Sequence, residues 1–546
     1  MRQLERVFVT LCALVVLAPS AAAFGQTQSV ANAAATAAAG QAPANVRRLS
    51  IDEAVKLALE QNLGIQVEKV NPQIQDLVIA QARNLWTPVG FTTINNNSTT
   101  TQSNSVFSGG LTQVTDQRFN TQFGVNQNLK TGANYSLGWT SFRATTSNLF
   151  TNFDPQLSSR LDFNFTQPLL RNFKTDPTRQ QIAVSRKDRD TSDLQLRATI
   201  AATTRNVKNA YWELAYQIAS LAASQESLDL AKRVLSDNEK RVQIGTMAPI
   251  DIVEAQAEVA RNEEAVIISQ AAIERAEDVL RALILGVDSP DFWDTKIEPS
   301  DAPVFESPAV DVESAVKRAL SNRLDILIAR NNLEREDINI AYYRNQSMPD
   351  ISANLNYSSA AIGGIQLSPV TSLNVGTIDR TIIANRSYGS VLGDVFTNTY
   401  PVWQVGVTVS YPIGASTAEA NLARSRLQKE QGETQLKQMQ VTVATQVRDL
   451  ARQVQTNEKR VDTTRVSREL AERRLEAAEK KFAAGIETSF FVFQAQRDLS
   501  QARTNLVRAV ADLNKSLVDL EAVQEAPLSG AGAAVGAIAA GAAGQR

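Results

Sequence analysis

The side chains that most often do chemistry are nearly missing from these 546 residues: histidine is absent and the one cysteine is Cys12. A histidine general base, a His/Cys metal site, a catalytic thiol and a disulfide framework are thereby excluded from the mature protein. No cofactor is expected, and the chain does not read as an enzyme. What remains is charge, 55 Lys and Arg against 57 Asp and Glu, a formal net of -2. That balance gives no electrostatic footprint for nucleic acid and no polybasic membrane anchor. Asp251 and Glu254, just past Gly245, are the carboxylates with a suggestive setting. Read alone they are helix N-terminal carboxylates held by the helix dipole, whose work is electrostatic.

The elements that would position them follow from the rest of the chain. Arg2 and Arg6, the apolar stretch Val7 to Ala18 and the small residues Ala21-Ala22-Ala23 read as a signal peptide over 1–23. Residues 24–47 read as an Ala-rich disordered linker and 526–546 as an Ala/Gly-rich disordered tail. After the signal, no run of about 18 apolar residues offers a transmembrane helix.

Self-similarity organises what lies between. Ile51, Ala54, Val55, Lys56, Ala58, Leu59 and Leu63 match Val312, Ala315, Val316, Lys317, Ala319, Leu320 and Leu324 at an offset of 261, which also carries Arg83 to Arg344 and Pro88 to Pro349. Arg241 to Gln256 aligns with Lys481 to Gln496 at an offset of 240, superposing Gly245 on Gly485. The chain therefore reads as two copies of one unit, 48–285 and 312–525, joined by a linker over 286–311.

Each copy opens with a short helix and one of some twenty residues that stops before Pro88 or Pro349. A very long helix follows in each, about 178–244 and 415–484, then a returning helix of about forty residues. Val207, Leu214, Leu221, Leu228, Leu235 and Val242 recur every seven residues; Val447, Val454, Val461, Leu475 and Phe482 repeat the phase, with Arg468 interrupting. At about 1.5 Å per residue such a helix is on the order of 100 Å long, more than one globular core can bury. The two shorter helices, stacked end to end, are expected to lie alongside it.

In the strand regions, about 88–168 and 349–412, the period changes to two. Trp403, Val405, Val407, Val409 and Tyr411 alternate with small polar residues, as do Ile351, Ala353, Leu355 and Tyr357, and Leu161, Phe163 and Phe165. Aromatic residues bracketing an aliphatic band over roughly 9 to 11 residues suit a tilted membrane strand. One strand pair per copy makes four strands per chain, too few to close a barrel, so several chains must share one. Phe119 to Phe142 reads as an additional hairpin that either joins this barrel or lies outside it.

With these features together, the chain resembles the outer membrane efflux protein family. The order of elements, their duplication, the Pro before each first strand, Phe165 to Phe173 and the glycine helix breaks carry the likeness over about 48–525. The resemblance implies a mainly α fold with membrane β: duplicated helix-strand-strand-helix units that form, as a homotrimer, an outer membrane β-barrel continued by a periplasmic α-helical barrel. It implies a passive export duct in the cell outer membrane, set in outer membrane lipid and serving an inner-membrane pump through a periplasmic adaptor. A non-conducting periplasmic coiled-coil scaffold or adaptor is the alternative. The adaptor-contacting tips map to Ile244, Gly245 and Thr246 and to Ala484, Gly485 and Ile486; a mere helix turn is the other use of the two glycines. The closed periplasmic aperture maps to Asp251 and Glu254 in the first copy, but the matching positions of the second are Phe491 and Gln494. A symmetric acidic iris is therefore not expected.

Overall fold

The computed structural model describes residues 46–103, 111–286, 296–303, 305, 310–369, 380–414 and 416–528. The expected signal peptide, and most of both expected disordered segments, lie outside the described residues. A few residues of both segments are described and ordered. Val46 and Arg47 belong to a strand, Ala526 is buried, and the Leu528 carbonyl accepts a 2.8 Å hydrogen bond from Arg205.

The first half of the chain runs β1 (Val46–Leu49), α1 (Ile51–Gln61), α2 (Leu63–Asn84), β2 (Val89–Gln102), β3 (Gln113–Asn128), β4 (Asn134–Thr146), β5 (Phe153–Pro168), α3 (Pro177–Gln243) and α4 (Ile250–Ile284). The second runs β6 (Lys296–Pro299), α5 (Val312–Asn322), α6 (Leu324–Gln346), β7 (Asp350–Leu367), β8 (Ile382–Arg386), α7 (Tyr388–Phe396), β9 (Pro401–Ser410), α8 (Thr417–Ala483) and α9 (Ser489–Ala522). Both long helices have 67 residues, and their starts are capped: Asp176 accepts from the Arg179 amide ahead of Pro177, and Ser416 from Glu419.

Along α3, α2 lies beside the upper part, where Arg189 meets Asp76, and α4 beside the lower part, where Lys232 meets Glu263. In the second half α6 and α9 accompany α8 in the same way, and both also touch α3. Four helical columns thus stand abreast: α2 with α4, then α3, then α6 with α9, then α8. The returning helices have 35 and 34 residues, somewhat short of the forty expected.

The heptad residues Val207, Leu214 and Leu228, and Val447, Val454 and Val461, are buried between these columns. At mid-height two cores widen the layer. One gathers α1, α3, α4 and the parallel pair β1–β6 around Tyr211, Trp212 and Leu280; the other gathers α5, the start of α6, α8 and α9 around Ile326, Val447 and Leu513. The Tyr211 hydroxyl, buried in the first, lies 3.1 Å from the Leu49 carbonyl and accepts from the amides of Ser300 and Asp301.

Beyond the upper ends of the helices the strands form one antiparallel sheet, ordered β2-β3-β4-β5-β7, with β9 on the lower and β8 on the upper part of the free side of β7. The expectation of four strands per chain is corrected here, because the segment 119–142 lies inside the sheet. It supplies most of β3 and β4, which pair with β2 and β5 along their length. The strands are also longer than the 9 to 11 residues expected, reaching 16 in β5 and 18 in β7. Thr, Asn and Ser fill β2, and Gln, Asp and Arg dominate the upper half of β3, so alternation there is faint, and only pairing with neighbours makes strands of them.

Register puts the two sets of side chains on opposite faces. Val405, Leu355, Phe165 and Tyr135 are partners in one row, and Trp403, Tyr357, Phe163, Leu137 and Val125 in the next. The other face carries Gln404, Asn356, Asn164, Ser136 and Asn126, with Arg160 and Asp162 paired to each other at 2.6 Å. Helix α7 lies on the apolar face near the outer end of the strands, where Val391 and Val395 pack against Ala361, Leu157 and Leu161.

Candidate functional site

Each long helix ends the same way. Gly245 takes φ +76° and Gly485 φ +73°, the left-handed conformation that glycine adopts without strain. The Thr246 amide donates to the Arg241 carbonyl (2.9 Å) and the Gly245 amide to Val242 (3.0 Å). Ile486 to Lys481 (3.0 Å) and Gly485 to Phe482 (3.1 Å) repeat the pair. These are Schellman closures, which satisfy the last carbonyls of the helix. A side chain at either glycine would meet nothing within 4 Å.

The two tips stand side by side. The Arg241 guanidinium lies 4.5 Å above the Phe482 ring, joining the end of α3 to that of α8. Lys481 pairs with Glu487 at 2.7 Å beneath the second turn. Ile244 and Ile486 are 73% and 74% exposed; Thr246 and Ala484 are exposed as well. Ile250, Val253, Phe490 and Phe491 extend this apolar surface along the starts of α4 and α9. All six tip residues therefore crown one end of the helical layer as a single solvent-facing surface.

The four residues expected at the aperture are placed differently from one another. The Asp251 carboxylate accepts a 3.1 Å hydrogen bond from the Ser489 hydroxyl of the other half, and its own carbonyl receives Asn238 at 3.4 Å. Glu254 is exposed, Phe491 is half-exposed and stacks edge-on against Phe490, and Gln494 is half-buried. One turn further in, the buried Glu258 receives Arg261 at 3.2 Å and Arg497 of α9 at 3.5 Å. Ser489, Glu258 and Arg497 join the two halves yet left no sequence signal, since Ser489 aligns with Pro249 and the charged pair is spread across distant segments. Phe482 carries one more heptad position in the pattern, and its partner Arg241 has no motif to mark it.

Among the described residues no group of three or more His, Cys, Asp or Glu could hold a metal ion, and no helix is long and apolar enough to cross a membrane. A sheet with one apolar and one polar face, rising from helices on the order of 100 Å long, has the architecture of an outer membrane channel.

Solved structures share that fold. CusC is 14% identical over 87% of this chain and 92% of its own, with a TM-score of 0.62. VceC from Vibrio cholerae is 16% identical over 88% and 97%, with a TM-score of 0.59. The Campylobacter jejuni CmeC outer membrane channel is 14% identical over 87% and 85%, with a TM-score of 0.58. No curated protein matches in sequence. The family model for outer membrane efflux proteins matches residues 126–286 and 315–524, and the chain belongs to that family.

Proposed function

We propose that three copies of this chain assemble into a passive export duct of a tripartite efflux or type I secretion system. The sheets close a barrel in the outer membrane. The helical layers continue it through the periplasm as a hollow cylinder, with the halves 48–285 and 312–525 as copies of one unit. The tips Ile244, Gly245, Thr246, Ala484, Gly485 and Ile486 receive a periplasmic adaptor, which links the duct to an inner-membrane pump. Asp251, Glu254, Phe491 and Gln494 stand near the aperture, where one half contributes charge and the other an aromatic surface.

One observation carries this reading. The sheet is apolar on one face and polar on the other, and among the described residues its outermost strands β2 and β9 have no partner on their outer sides. Unpaired edges are not tolerated in lipid, so the sheet must be completed by other copies. The family to which the chain belongs and the channel fold of its structural neighbours support the same assignment. Mass determination in mild detergent and single-channel recording in a planar bilayer test it together. A trimer that conducts is the expected result; a particle that never conducts in either orientation leaves a periplasmic scaffold instead.

A further inference from the structure

We infer that the barrel is closed by eighteen strands, six from each of three copies, with β2 of one copy pairing antiparallel to β9 of the next. The inference rests on the trimeric duct proposed above and concerns how wide its outer end is. The part of the chain that the family match covers holds fewer strands. It begins at residue 126, near the base of β3, and so contains β4, β5, β7 and β9 but none of β2 and only the last residues of β3. Four strands per copy would close twelve.

Three observations favour the wider ring. First, β3 occupies the edge of β4 from Asp116–Thr146 to Asn128–Asn134, so β4 has no free edge to offer a neighbouring copy. The turn joining β3 to β4 is also built into the base of the sheet. The Gln127 side chain donates to the Trp86 carbonyl at 2.8 Å, Gln167 donates to the Thr131 carbonyl at 3.4 Å, and Lys130 sits 5.8 Å over the Trp86 ring. Val125 and Phe123 continue the apolar face, and Gln122 and Asn120 the polar one, so β3 obeys the rule of the strands beside it.

Second, the stagger suits a barrel. Following paired residues from Val89 at the foot of β2 leads through Asn126, Ser136, Asn164 and Asn356 to Gln404, six residues above Ser410 at the foot of β9. Six residues at about 3.3 Å against five strand spacings of about 4.8 Å give a tilt of about 40°. Closed barrels require about 35–45°. Along β2 the chain rises from the helices and along β9 it returns to them, so edges meeting between copies are antiparallel.

Third, the widths agree. Six strands about 4.8 Å apart and tilted by about 40° cover about 38 Å of circumference. Four helical columns at about 8–10 Å between axes cover about 32–40 Å. Four strands would cover only about 25 Å and force the cylinder to narrow sharply where helix gives way to strand. Because diameter grows roughly linearly with strand number, the eighteen-stranded ring is about 1.5 times as wide as a twelve-stranded one.

Cysteine pairs test this directly, since Cys12 is the chain's only natural thiol and introduces little background. Thr92→Cys or Ile94→Cys on β2 is combined with Val405→Cys, Val407→Cys or Val409→Cys on β9 in the full chain, purified in mild detergent and oxidised. At least one combination is expected to give covalent trimers on non-reducing gels, while Leu137→Cys on β4 with Val407→Cys stays monomeric. Hydrogen exchange of the uncrosslinked trimer gives a second readout, with protection expected along both sides of β2. A trimer in which β4 links to β9, or in which β2 links to nothing and one row of its amides exchanges freely, overturns the eighteen-stranded ring but leaves the duct standing. A particle that is monomeric by mass before oxidation overturns both.

Discussion

The two halves of this chain keep the same helices and differ in their strands. The helices have 11, 22, 67 and 35 residues in one half and 11, 23, 67 and 34 in the other. The first half then places four long strands in the sheet, the second two long strands, the short β8 and helix α7. A column of helices tolerates little change of length, because each residue inserted moves every contact below it by about 1.5 Å and 100° of turn. A sheet grows sideways, and a hairpin added there shifts no existing register. The difference teaches where this architecture can vary: sideways across the sheet and hardly at all along the helices.

The largest expected effect lies at the foot of the added hairpin. Gly132 has φ +83°, and a Cβ there would come within 2.4 Å of the Asn172 carbonyl oxygen, to which the Arg179 side chain donates at 2.9 Å. Gly132→Val combines a left-handed β-branched residue with a backbone overlap, a cost of about 2–4 kcal/mol. The substituted protein is expected to lose the proposed trimer, read by mass determination in mild detergent. If trimers survive unchanged, the hairpin is not anchored to the helices and its place in the sheet is in question.

At the tips the same residue type is used under no crowding, and this sharpens the contrast. Gly245 and Gly485 face open space, so Gly245→Asp or Gly485→Arg costs only about 1–2 kcal/mol of left-handed strain. Trimer and barrel should persist while export falls at least tenfold, since the change sits on the surface proposed to receive the adaptor. Gly245→Ala, which has the strain without the bulk, should retain most export. Loss of export in the Ala variant to the same degree would assign the glycines to turn formation alone.

How much of this was readable beforehand depends on the period of the pattern. The 67-residue helices, their glycine breaks and the alternation from Trp403 to Tyr411 are strong periodic signals, and the structure places all three where periodicity puts them. Strand β2 was hidden, because Thr-Thr-Ile-Asn-Asn-Asn-Ser-Thr-Thr-Thr-Gln from Thr92 has no alternation and reads as a loop. Contacts across the halves were hidden for another reason. Ser489 to Asp251, Arg497 to Glu258 and Arg241 over Phe482 join segments some 240 residues apart, and single residues carry no mark of a distant partner.

A smaller effect distinguishes the two halves near the proposed aperture. If Asp251 and Glu254 of three chains gather there, six carboxylates favour cations, whereas Phe491 and Gln494 contribute no charge. Asp251→Asn with Glu254→Gln should lower cation selectivity and block by multivalent cations in bilayer recordings, and Phe491→Ala should change conductance without changing selectivity. The Ser489 hydroxyl already holds one oxygen of Asp251, so Glu254→Gln alone should account for most of the loss. An unchanged selectivity in the double variant moves both carboxylates to an ordinary solvated helix face.

The smallest effect is a pH dependence of opposite sign at two carboxylates. Burial works to raise the pKa of Glu213 on α3, but the Lys515 ammonium of α9, with Gln217 and Arg508 behind it, outweighs burial and holds it below 4.5. Its native pKa is depressed, so its contribution is present above the unfolded pKa of about 4.5 and is lost as pH falls through the lower native value. Glu277 on α4 is the converse: burial pushes its pKa above 4.5 against the opposing charges of Arg281 and Lys296. Its native pKa is raised, so it favours the folded state only where it is protonated, and that contribution fades as pH rises from about 4.5 through the native value. The midpoint of thermal unfolding followed against pH should therefore show Glu213→Gln less stable than the parent at pH 7, with the gap closing on acidification. Glu277→Gln should be at least as stable as the parent at pH 7. Both effects are expected to be about 1 kcal/mol or less, because each group keeps some contact with solvent. If Glu213→Gln loses the same stability at every pH, packing between α3 and α9 carries the contact, and the ion pair joining the halves contributes nothing.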